Sequence, residues 1–354
     1  MKIAIGLSGG VDSSVAAALL KQSGHDVTGV TMKIWRDGKY RGGDKDACFG
    51  PGEEEDIRAA AALCRKLDIP YHVFDCAEAY EKAVLDYFRA EYLAGRTPNP
   101  CVRCNSLMKF GVLPNLARQS GVEFERFATG HYVRSGYQDG RYILRTARDI
   151  AKDQSYFLYR LTQKQLAELY FPLGEQTKAE VRALAEEFGL EVSDKPDSQD
   201  FYSGDHRELL DTPDRPGNIV DASGNVLGTH KGFWHYTIGQ RRGIGIAAPA
   251  SLYVTALNPC RNEVVVGSRL DTQCRQLLVN DCNWVSTAES NVEFVAEVKI
   301  RSASAPVPAR LQPQGDGVWR IAFPDGVTAP AAGQSAVFYD GALLLGGGII
   351  KEVL

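Results

Sequence analysis

Through the first two hundred residues, apolar positions alternate between short unbroken runs and longer stretches in which they recur every third or fourth place. Unbroken runs fit strands buried on both faces, and the spaced pattern fits helices packed over them, so the order reads as a mostly parallel sheet covered by helices. KIAIGL (Lys2–Leu7) predicts the first strand and Ser13–Gln22 the first helix. DVTGVTMKIW (Asp26–Trp35) predicts a second strand, Glu53–Leu67 a helix, YHVFD (Tyr71–Asp75) a third strand and Glu78–Leu93 an amphipathic helix. RFATGHYV (Arg126–Val133) reads as a further strand, followed by helical patterns near Lys164–Glu168 and Thr177–Phe188.

Near His206 the character changes, and glycines, prolines and short β-rich runs replace the helical pattern. KGFWHYTIGQRRGIGI (Lys231–Ile246) is dense in glycine, aromatic and basic residues, which predicts a small domain or an extended surface loop. From about Arg275 the runs FVAEVKIR, PVPARLQP, VWRIAF and QSAVFYDGALLLGGGII are spaced like strands of a small antiparallel barrel. The expected organisation is an α/β domain over 1–205, a small central β-rich domain over 206–272 and a C-terminal β-barrel over 273–354.

With 44% hydrophobic and 24% charged residues the composition is that of a folded globular protein, and 354 residues suffice for more than one core. A net charge of −4 excludes a polycation built to coat nucleic acid, so any RNA contact has to come from a local basic surface. MKIAIGLSGGVDSS lacks the charged and apolar regions of a secretory leader, and no run approaches the roughly 18 apolar residues of a membrane span. The expectation is a cytoplasmic protein with no membrane contact. Eight cysteines in a reducing compartment do not argue for disulfides, and only local spacing promotes one to chemistry.

Ser8-Gly9-Gly10-Val11-Asp12-Ser13-Ser14 stands between the first strand and the first helix. Glycines there let backbone approach a phosphate closely, and the helix N-terminus supplies unpaired N–H groups and the positive end of a dipole. The plain alternative is a strand-to-helix turn with a serine cap. The segment lacks the Lys of G-x-x-x-x-G-K-[ST] and the spacing of G-x-G-x-x-G. SGGVDSS resembles the PP-loop of ATP pyrophosphatases, which bind the pyrophosphate of ATP and form an adenylated intermediate. That motif does not choose a substrate, because argininosuccinate, asparagine, GMP and NAD synthetases share it with tRNA-modifying enzymes.

Arg96-Thr97-Pro98-Asn99-Pro100-Cys101-Val102-Arg103-Cys104-Asn105 predicts a proline-restricted loop carrying two thiols at C-x-x-C spacing. Such a pair suits metal binding or thiol redox chemistry, with Arg103 a cation able to lower a thiol pKa. Two unreactive loop cysteines are the plain alternative. An amide or amidine ligase has no need of the pair, whereas sulfur transfer does.

With these motifs in this order, the chain resembles the MnmA family of tRNA-specific 2-thiouridylases over nearly its full length. The resemblance also rests on Thr31-Met32, Lys109–Gly111, ATGHY (Ala128–Tyr132), KDQSYFL (Lys152–Leu158), KPDSQD (Lys195–Asp200), GFWHYTIGQRRG, GQSAVFYDG and LGGGII. It implies a PP-loop catalytic domain of the adenine nucleotide α-hydrolase-like type, a central tRNA-contacting domain and a C-terminal antiparallel β-barrel. The activity implied is that of a tRNA-uridine 2-sulfurtransferase. ATP would adenylate O2 of the wobble uridine in tRNAs for Lys, Glu and Gln, and sulfur would then displace AMP. On this sequence, Gly6, Leu7, Ser8, Gly9, Gly10, Val11, Asp12 and Ser13 would hold ATP, with Asp12 positioning Mg²⁺, and Met32 and Gly130 would line the adenine or ribose pocket. Cys104 takes the nucleophile's position. Asn99, Pro100 and Cys101 would lie against the target base near His131, and Lys152, Asp153, Gln154, Arg301, Ser302 and Gln334 would contact tRNA. The partners implied are the tRNA anticodon loop and a cysteine desulfurase or sulfur-relay protein. Taken singly, His131 is as readily a satisfied polar residue at a strand end and Lys152 a solvated charge. Arg241 and Arg242 read equally as surface charges, although two guanidiniums beside glycines suit phosphates.

One position departs from the family pattern. Better-known members carry a persulfide on a second cysteine after the segment that here reads Asp197-Ser198-Gln199-Asp200-Phe201-Tyr202, and Tyr202 stands where that cysteine is expected. Two expectations follow. Either Cys101 and Cys104 divide the work of carrying sulfur and resolving it as a disulfide, or both join a third thiol in holding a [4Fe-4S] cluster whose open iron binds sulfide. The cluster is the preferred expectation, with Cys48 in DACFGPGEEED as third ligand because loops after parallel strands converge on one edge of the sheet. Cys64 reads as core, Cys76 as a weaker ligand, and Cys260, Cys274 and Cys282 as packing. Rival functions are another PP-loop ligase or amidotransferase acting on a small molecule, with no role for Cys104, and a non-catalytic tRNA-binding or iron-sulfur protein that forms no AMP.

Overall fold

A computed structural model describes residues 1–43, 47–190 and 200–354, so Lys195–Gln199 of the KPDSQD motif lie outside the described residues. β1 (Lys2–Gly6) has Ile3, Ala4 and Ile5 fully enclosed, as an apolar run buried on both faces requires. It is followed by α1 (Val11–Gln22), β2 (Asp26–Lys33), β3 (Ala47–Phe49), α2 (Glu53–Leu67) and β4 (Tyr71–Asp75). The second strand stops at Lys33 rather than Trp35. There the Glu53 carboxylate accepts the N–H groups of Ile34 and Trp35 at 2.8 and 3.0 Å, replacing a strand partner.

The expected amphipathic helix is α3 (Ala77–Tyr80), a π-helical turn (Glu81–Leu85) and α4 (Asp86–Leu93) in succession. Next come α5 (Pro100–Arg103), a π-helical stretch (Cys104–Val112) and α6 (Leu113–Gln119), so the C-x-x-C pair sits on helix rather than loop. Local chemistry explains the difference: the Asn99 side chain accepts the Val102 N–H at 3.2 Å, and Pro100 takes the first helical position, where a missing N–H is harmless. The chain continues through β5 (Arg126–Thr129), β6 (Arg134–Gln138), β7 (Arg141–Arg145), α7 (Gln163–Glu168), β8 (Leu169–Tyr170), α8 (Lys178–Glu187) and β9 (Asp200–Tyr202). A parallel sheet of order β4-β2-β1-β5-β8 places β1 between β2 and β5. Growth of the sheet reverses there, which opens a crevice at the C-terminal ends of the strands.

The central part is a sheet of order β11-β10-β13-β12, made of β10 (Gly217–Val220), β11 (Val226–His230), β12 (Tyr253–Asn258) and β13 (Glu263–Gly267). The C-terminal barrel uses β14 (Gln273–Trp284), β15 (Phe294–Lys299), β16 (Val307–Gly315), β17 (Val318–Thr328), β18 (Ser335–Asp340) and β19 (Leu343–Val353), and closes where β14 pairs with β19. The β6–β7 hairpin is an element that periodicity missed. Asp139 and Gly140 take φ of 50° and 80°, as a two-residue type I′ turn demands, so the D-G pair was the available signal. The hairpin leaves the α/β part and pairs with the barrel, Leu144 opposite Leu344.

Cores are shared between the parts. Tyr156 and Tyr159 pack with Val337, Tyr339 and Leu344 of the barrel, while Phe88, Cys104 and Tyr202 pack with Trp234, Val254 and Val264 of the central sheet. The first seam is also polar: Ser155 Oγ lies 3.1 Å from Tyr339 OH, Tyr156 OH donates to the Ser335 carbonyl at 3.0 Å, and Ser335 Oγ donates to Tyr159 OH at 3.2 Å. Among the described residues no helix is long and apolar enough to cross a membrane. Leu144 is fully enclosed in the shared core. Leu144→Ala is expected to lower stability by about 2–5 kcal/mol, measured as a fall in the urea unfolding midpoint.

Candidate active site

At the switch point the structure encloses a cleft of about 510 Å³, within the range that holds small-molecule ligands. Gly6, Leu7, Ser8, Gly10, Val11, Asp12 and Ser13 form one wall. Gly10 caps α1 with no side-chain hydrogen bond, which leaves the donors and positive dipole of the first turn for a ligand. The serines hold the loop rather than the helix end. Ser8 N–H donates to Ser13 Oγ at 3.2 Å, and Ser14 Oγ donates to the Gly10 carbonyl at 2.8 Å. Gly9 packs against α2 and is not part of the cleft wall: its φ is +70°, and a Cβ there would lie 2.5 Å from the Asp56 carbonyl oxygen. Gly130 lines the opposite side, where a Cβ would lie 2.6 Å from Ser13 N.

Asp12 Oδ1 accepts from Lys178 Nζ and from Tyr132 OH, both at 2.7 Å. The nearly buried Lys178 was not singled out in the sequence, because its place at the start of α8 carries the pattern of a solvated residue. Asp12 and Asp56 both border the cleft, and both bonds to Asp12 fall on Oδ1. This donor set fits a magnesium ion carried in by phosphates, which takes one or two carboxylates and keeps much of its water.

Met32, His131, Lys152, Asp153 and Gln154 line the same cleft. Burial, with the Lys109 charge, holds the His131 pKa well below the usual range, so the ring is neutral. Its Nδ1 lies 2.8 Å from Thr129 Oγ1. Gln154 accepts the Tyr132 N–H at 2.9 Å, and Asp153 accepts from Ala147 N–H at 2.9 Å and Ser155 Oγ at 2.7 Å.

Two of the thiols singled out for chemistry, Cys48 and Cys104, reach the cleft wall, whereas Cys101 is half-buried against the core and does not. Burial pushes the Cys104 thiol pKa up to about 11, with Lys109 pulling it down and Cys48 pushing it up. Arg103, the cation expected to act there, points elsewhere: its Nε donates to the Ala83 carbonyl at 2.6 Å and its guanidinium stacks 4.5 Å over Tyr87. Lys109 takes that place, a residue quoted only as part of a motif. Burial works to lower its own pKa, Cys48, Cys104 and Cys101 work to raise it, and the net shift is upward. Cys64 and Cys76 are buried, each pushed by burial to about 12. Cys260 is exposed, so it does not pack as expected, and Cys274 and Cys282 are half-buried.

Among the described residues no three His, Cys, Asp or Glu side chains come together to hold a metal ion. The expected seat of Cys48, Cys101 and Cys104 is not assembled among these residues: Cys48 and Cys104 line the cleft and Cys101 does not. The remaining residues expected to contact tRNA also lie outside the cleft wall. Asn99 and Pro100 build the start of α5, Gln334 Nε2 donates to the Pro98 carbonyl at 2.8 Å, and an Arg301 guanidinium nitrogen donates to the carbonyls of Ile238 and Ala329 at 2.9 and 3.0 Å. Ser302, Arg241 and Arg242 are exposed.

Family models match the chain almost end to end: tRNA methyl transferase HUP domain over residues 1–202, tRNA methyl transferase PRC-barrel domain over 210–268 and aminomethyltransferase β-barrel domain over 274–350. A tRNA-specific 2-thiouridylase MnmA of Endomicrobium trichonymphae is 47% identical, covering 99% of each chain. Proteins of the same name from Gloeothece citriformis and Clostridium perfringens are 45% and 43% identical, covering 99% and 100% of this chain and 99% of each relative. The domain descriptions speak of methyl transfer and the relatives' names of 2-thiouridine. The phosphate-binding loop fits the second, since methyl transfer does not activate its acceptor with ATP.

Gly130→Ala should push the β5 end and the first turn of α1 apart. ATP affinity measured by calorimetry is expected to fall by about tenfold or more, the equivalent of about 1.4 kcal/mol, with the circular dichroism spectrum unchanged. A thiol titrating at about 11 is almost wholly protonated at neutral pH. Alkylation of Cys104 by iodoacetamide, followed by peptide mass mapping, is expected to accelerate by about tenfold per pH unit from about pH 8 to about pH 10, with no plateau.

Proposed function

The chain belongs to the MnmA family of tRNA-specific 2-thiouridylases, its reaction is the ATP-dependent formation of 2-thiouridine in tRNA, and we propose that both halves of that reaction occur in the switch-point cleft. The observation that carries this reading is that the uncapped N-terminus of α1 and the Cys104 thiol open into the same cleft. The first-turn N–H groups would cradle the ATP phosphates while O2 of the wobble uridine attacks the α-phosphorus and diphosphate leaves. Mg²⁺ held by Asp12 and Asp56 would neutralise charge on the departing diphosphate. Adenylation turns a poor leaving oxygen into AMP, and sulfur then attacks C2.

Lys109 supports the second half by offsetting the charge of a Cys104 thiolate, whose pKa it pulls downward. The wobble base has to leave its stack to reach the cleft, which a single-stranded anticodon loop permits. The exposed Arg241 and Arg242 offer phosphate contacts on a surface whose net charge of −4 otherwise repels RNA. Sulfur would arrive as a persulfide from a cysteine desulfurase or relay protein in the cytoplasm.

The test is incubation with unmodified tRNA, ATP, Mg²⁺ and a persulfide, with 2-thiouridine and AMP quantified by mass spectrometry. Both products are expected only when tRNA is present. Cys104→Ser is expected to lose 2-thiouridine formation by about 10³-fold or more while ATP binding persists. AMP formed without tRNA would favour a small-molecule ligase, and full thiolation by Cys104→Ser would remove that residue from the mechanism.

A further inference from the structure

Beside the cleft, β3 and β9 form a separate parallel ribbon, with Ala47 opposite Asp200 and Phe49 opposite Tyr202. Phe49 is buried, its ring 5.0 Å from Trp35, 5.1 Å from Tyr80 and 5.8 Å from Tyr202. Successive side chains of a strand point to opposite faces, so pinning Phe49 in the core turns Cys48 outward. Cys48 is exposed and lines the cleft that Cys104 also lines.

Polar contacts lock this ribbon. The fully buried Tyr202 accepts the Gly42 N–H at 3.1 Å and donates its hydroxyl to Glu208, whose other carboxylate oxygen accepts the Arg41 N–H. Ser203 Oγ accepts the Gly43 N–H at 3.1 Å, and Ser203 N–H donates to the Phe49 carbonyl at 3.1 Å.

We propose that Cys48 is the sulfur-carrying cysteine of this enzyme, that Cys104 resolves it, and that Tyr202 is the positioning residue that latches the Cys48 strand beside the cleft. The proposal rests on the 2-thiouridylase reading and replaces the Cys101–Cys104 pair within it. Access decides the assignment. A carrier has to meet both an external donor and C2 of the uridine, which suits a thiol that is exposed and lines the cleft. Cys104 lines the cleft but is buried, and Cys101 is absent from the wall. Cys48 and Cys104 are near enough that charge on one is felt by the other.

The steps balance. The Cys48 thiolate attacks the outer sulfur of a donor persulfide, releasing the donor thiolate. The terminal sulfur of the Cys48 persulfide attacks C2 of the adenylated uridine, and AMP leaves with the C–O electron pair. Cys104, its proton passing to water, attacks Sγ of Cys48. A Cys48–Cys104 disulfide forms, the bond from Cys48 to the transferred sulfur breaks, and the electron pair stays on the 2-thio group. An external dithiol then supplies two electrons to reduce the disulfide.

The experiment is a single turnover of iron-free, full-length enzyme loaded with glutathione persulfide, given ATP, Mg²⁺ and unmodified tRNA without reductant, followed by peptide mass mapping. The extra sulfur is expected on Cys48 before turnover, and a Cys48–Cys104 disulfide afterwards in step with the 2-thiouridine formed. Cys48→Ser is expected to form AMP with tRNA but to lose sulfur transfer by about a hundredfold or more, whereas Cys260→Ser, at an exposed thiol outside the cleft, transfers normally. Tyr202→Phe is expected to slow diamide-driven Cys48–Cys104 closure by about tenfold, about the kinetic equivalent of a lost buried hydrogen-bond pair. Its Cys48 alkylation rate should stay unchanged, which a general loss of folding would not allow. A Cys101–Cys104 disulfide, or undiminished transfer by Cys48→Ser, overturns the proposal while leaving the 2-thiouridylase reading standing. Wild-type enzyme that makes neither AMP nor 2-thiouridine under any sulfur source overturns both.

Discussion

The backbone at Gly130 lies so close to the first turn of α1 that no side chain fits between them, and the cleft is organised by that contact. It brings the end of β5 against the end of the phosphate loop, across the point where the sheet reverses its growth. Two residues further along, Tyr132 reaches Asp12, and Lys178 meets the same carboxylate oxygen from α8. The acidic side chain at the helix start is thus oriented by a cation and a hydroxyl, while the helix end itself stays uncapped. An anion entering the cleft meets donors already in place, so little of its binding energy goes into ordering them.

The thiol side of the cleft is governed by burial. Cys104 rests as a neutral thiol because water cannot solvate its anion, and Lys109 is the charge that makes deprotonation accessible. A thiol held protonated until its partners arrive resists oxidation between turnovers. The surrounding parts are bolted to this wall: Cys104 shares a core with Trp234 and Val254 of the central sheet, and the KDQSYFL segment is seamed to β18 by buried hydroxyls. Arg301 and Gln334, read first as RNA contacts, hold backbone carbonyls of neighbouring segments.

Much of this was legible along the chain, because strands buried on both faces and amphipathic helices write their periods into it. β1, β2, β4, α1, α2 and α8 stand within a few residues of their expected bounds. The errors have local causes. Glu53 ends β2 by taking its next two N–H groups, Asn99 and Pro100 start a helix where prolines suggested a loop, and the Asp139-Gly140 turn marks a hairpin hidden between an expected strand and the helical patterns that follow it. Lys178 and Lys109 were not read as site residues, since a lysine on a helix looks solvated until a neighbouring element closes over it.

By itself the sequence determined the strand, glycine loop and helix start that make the anion site, and the family, which follows from motifs in order. These are local matters: the donors of a helix N-terminus belong to the residues that form it. Only the tertiary structure decided which thiols line the cleft. Cys48 lines the cleft on a strand that pairs with β9, beside a Tyr202 hydroxyl that takes the Gly42 N–H from 160 positions away, while Cys101 stays off the cleft wall. Contacts over such separations depend on packing of the whole chain, and no spacing of cysteines along it records them.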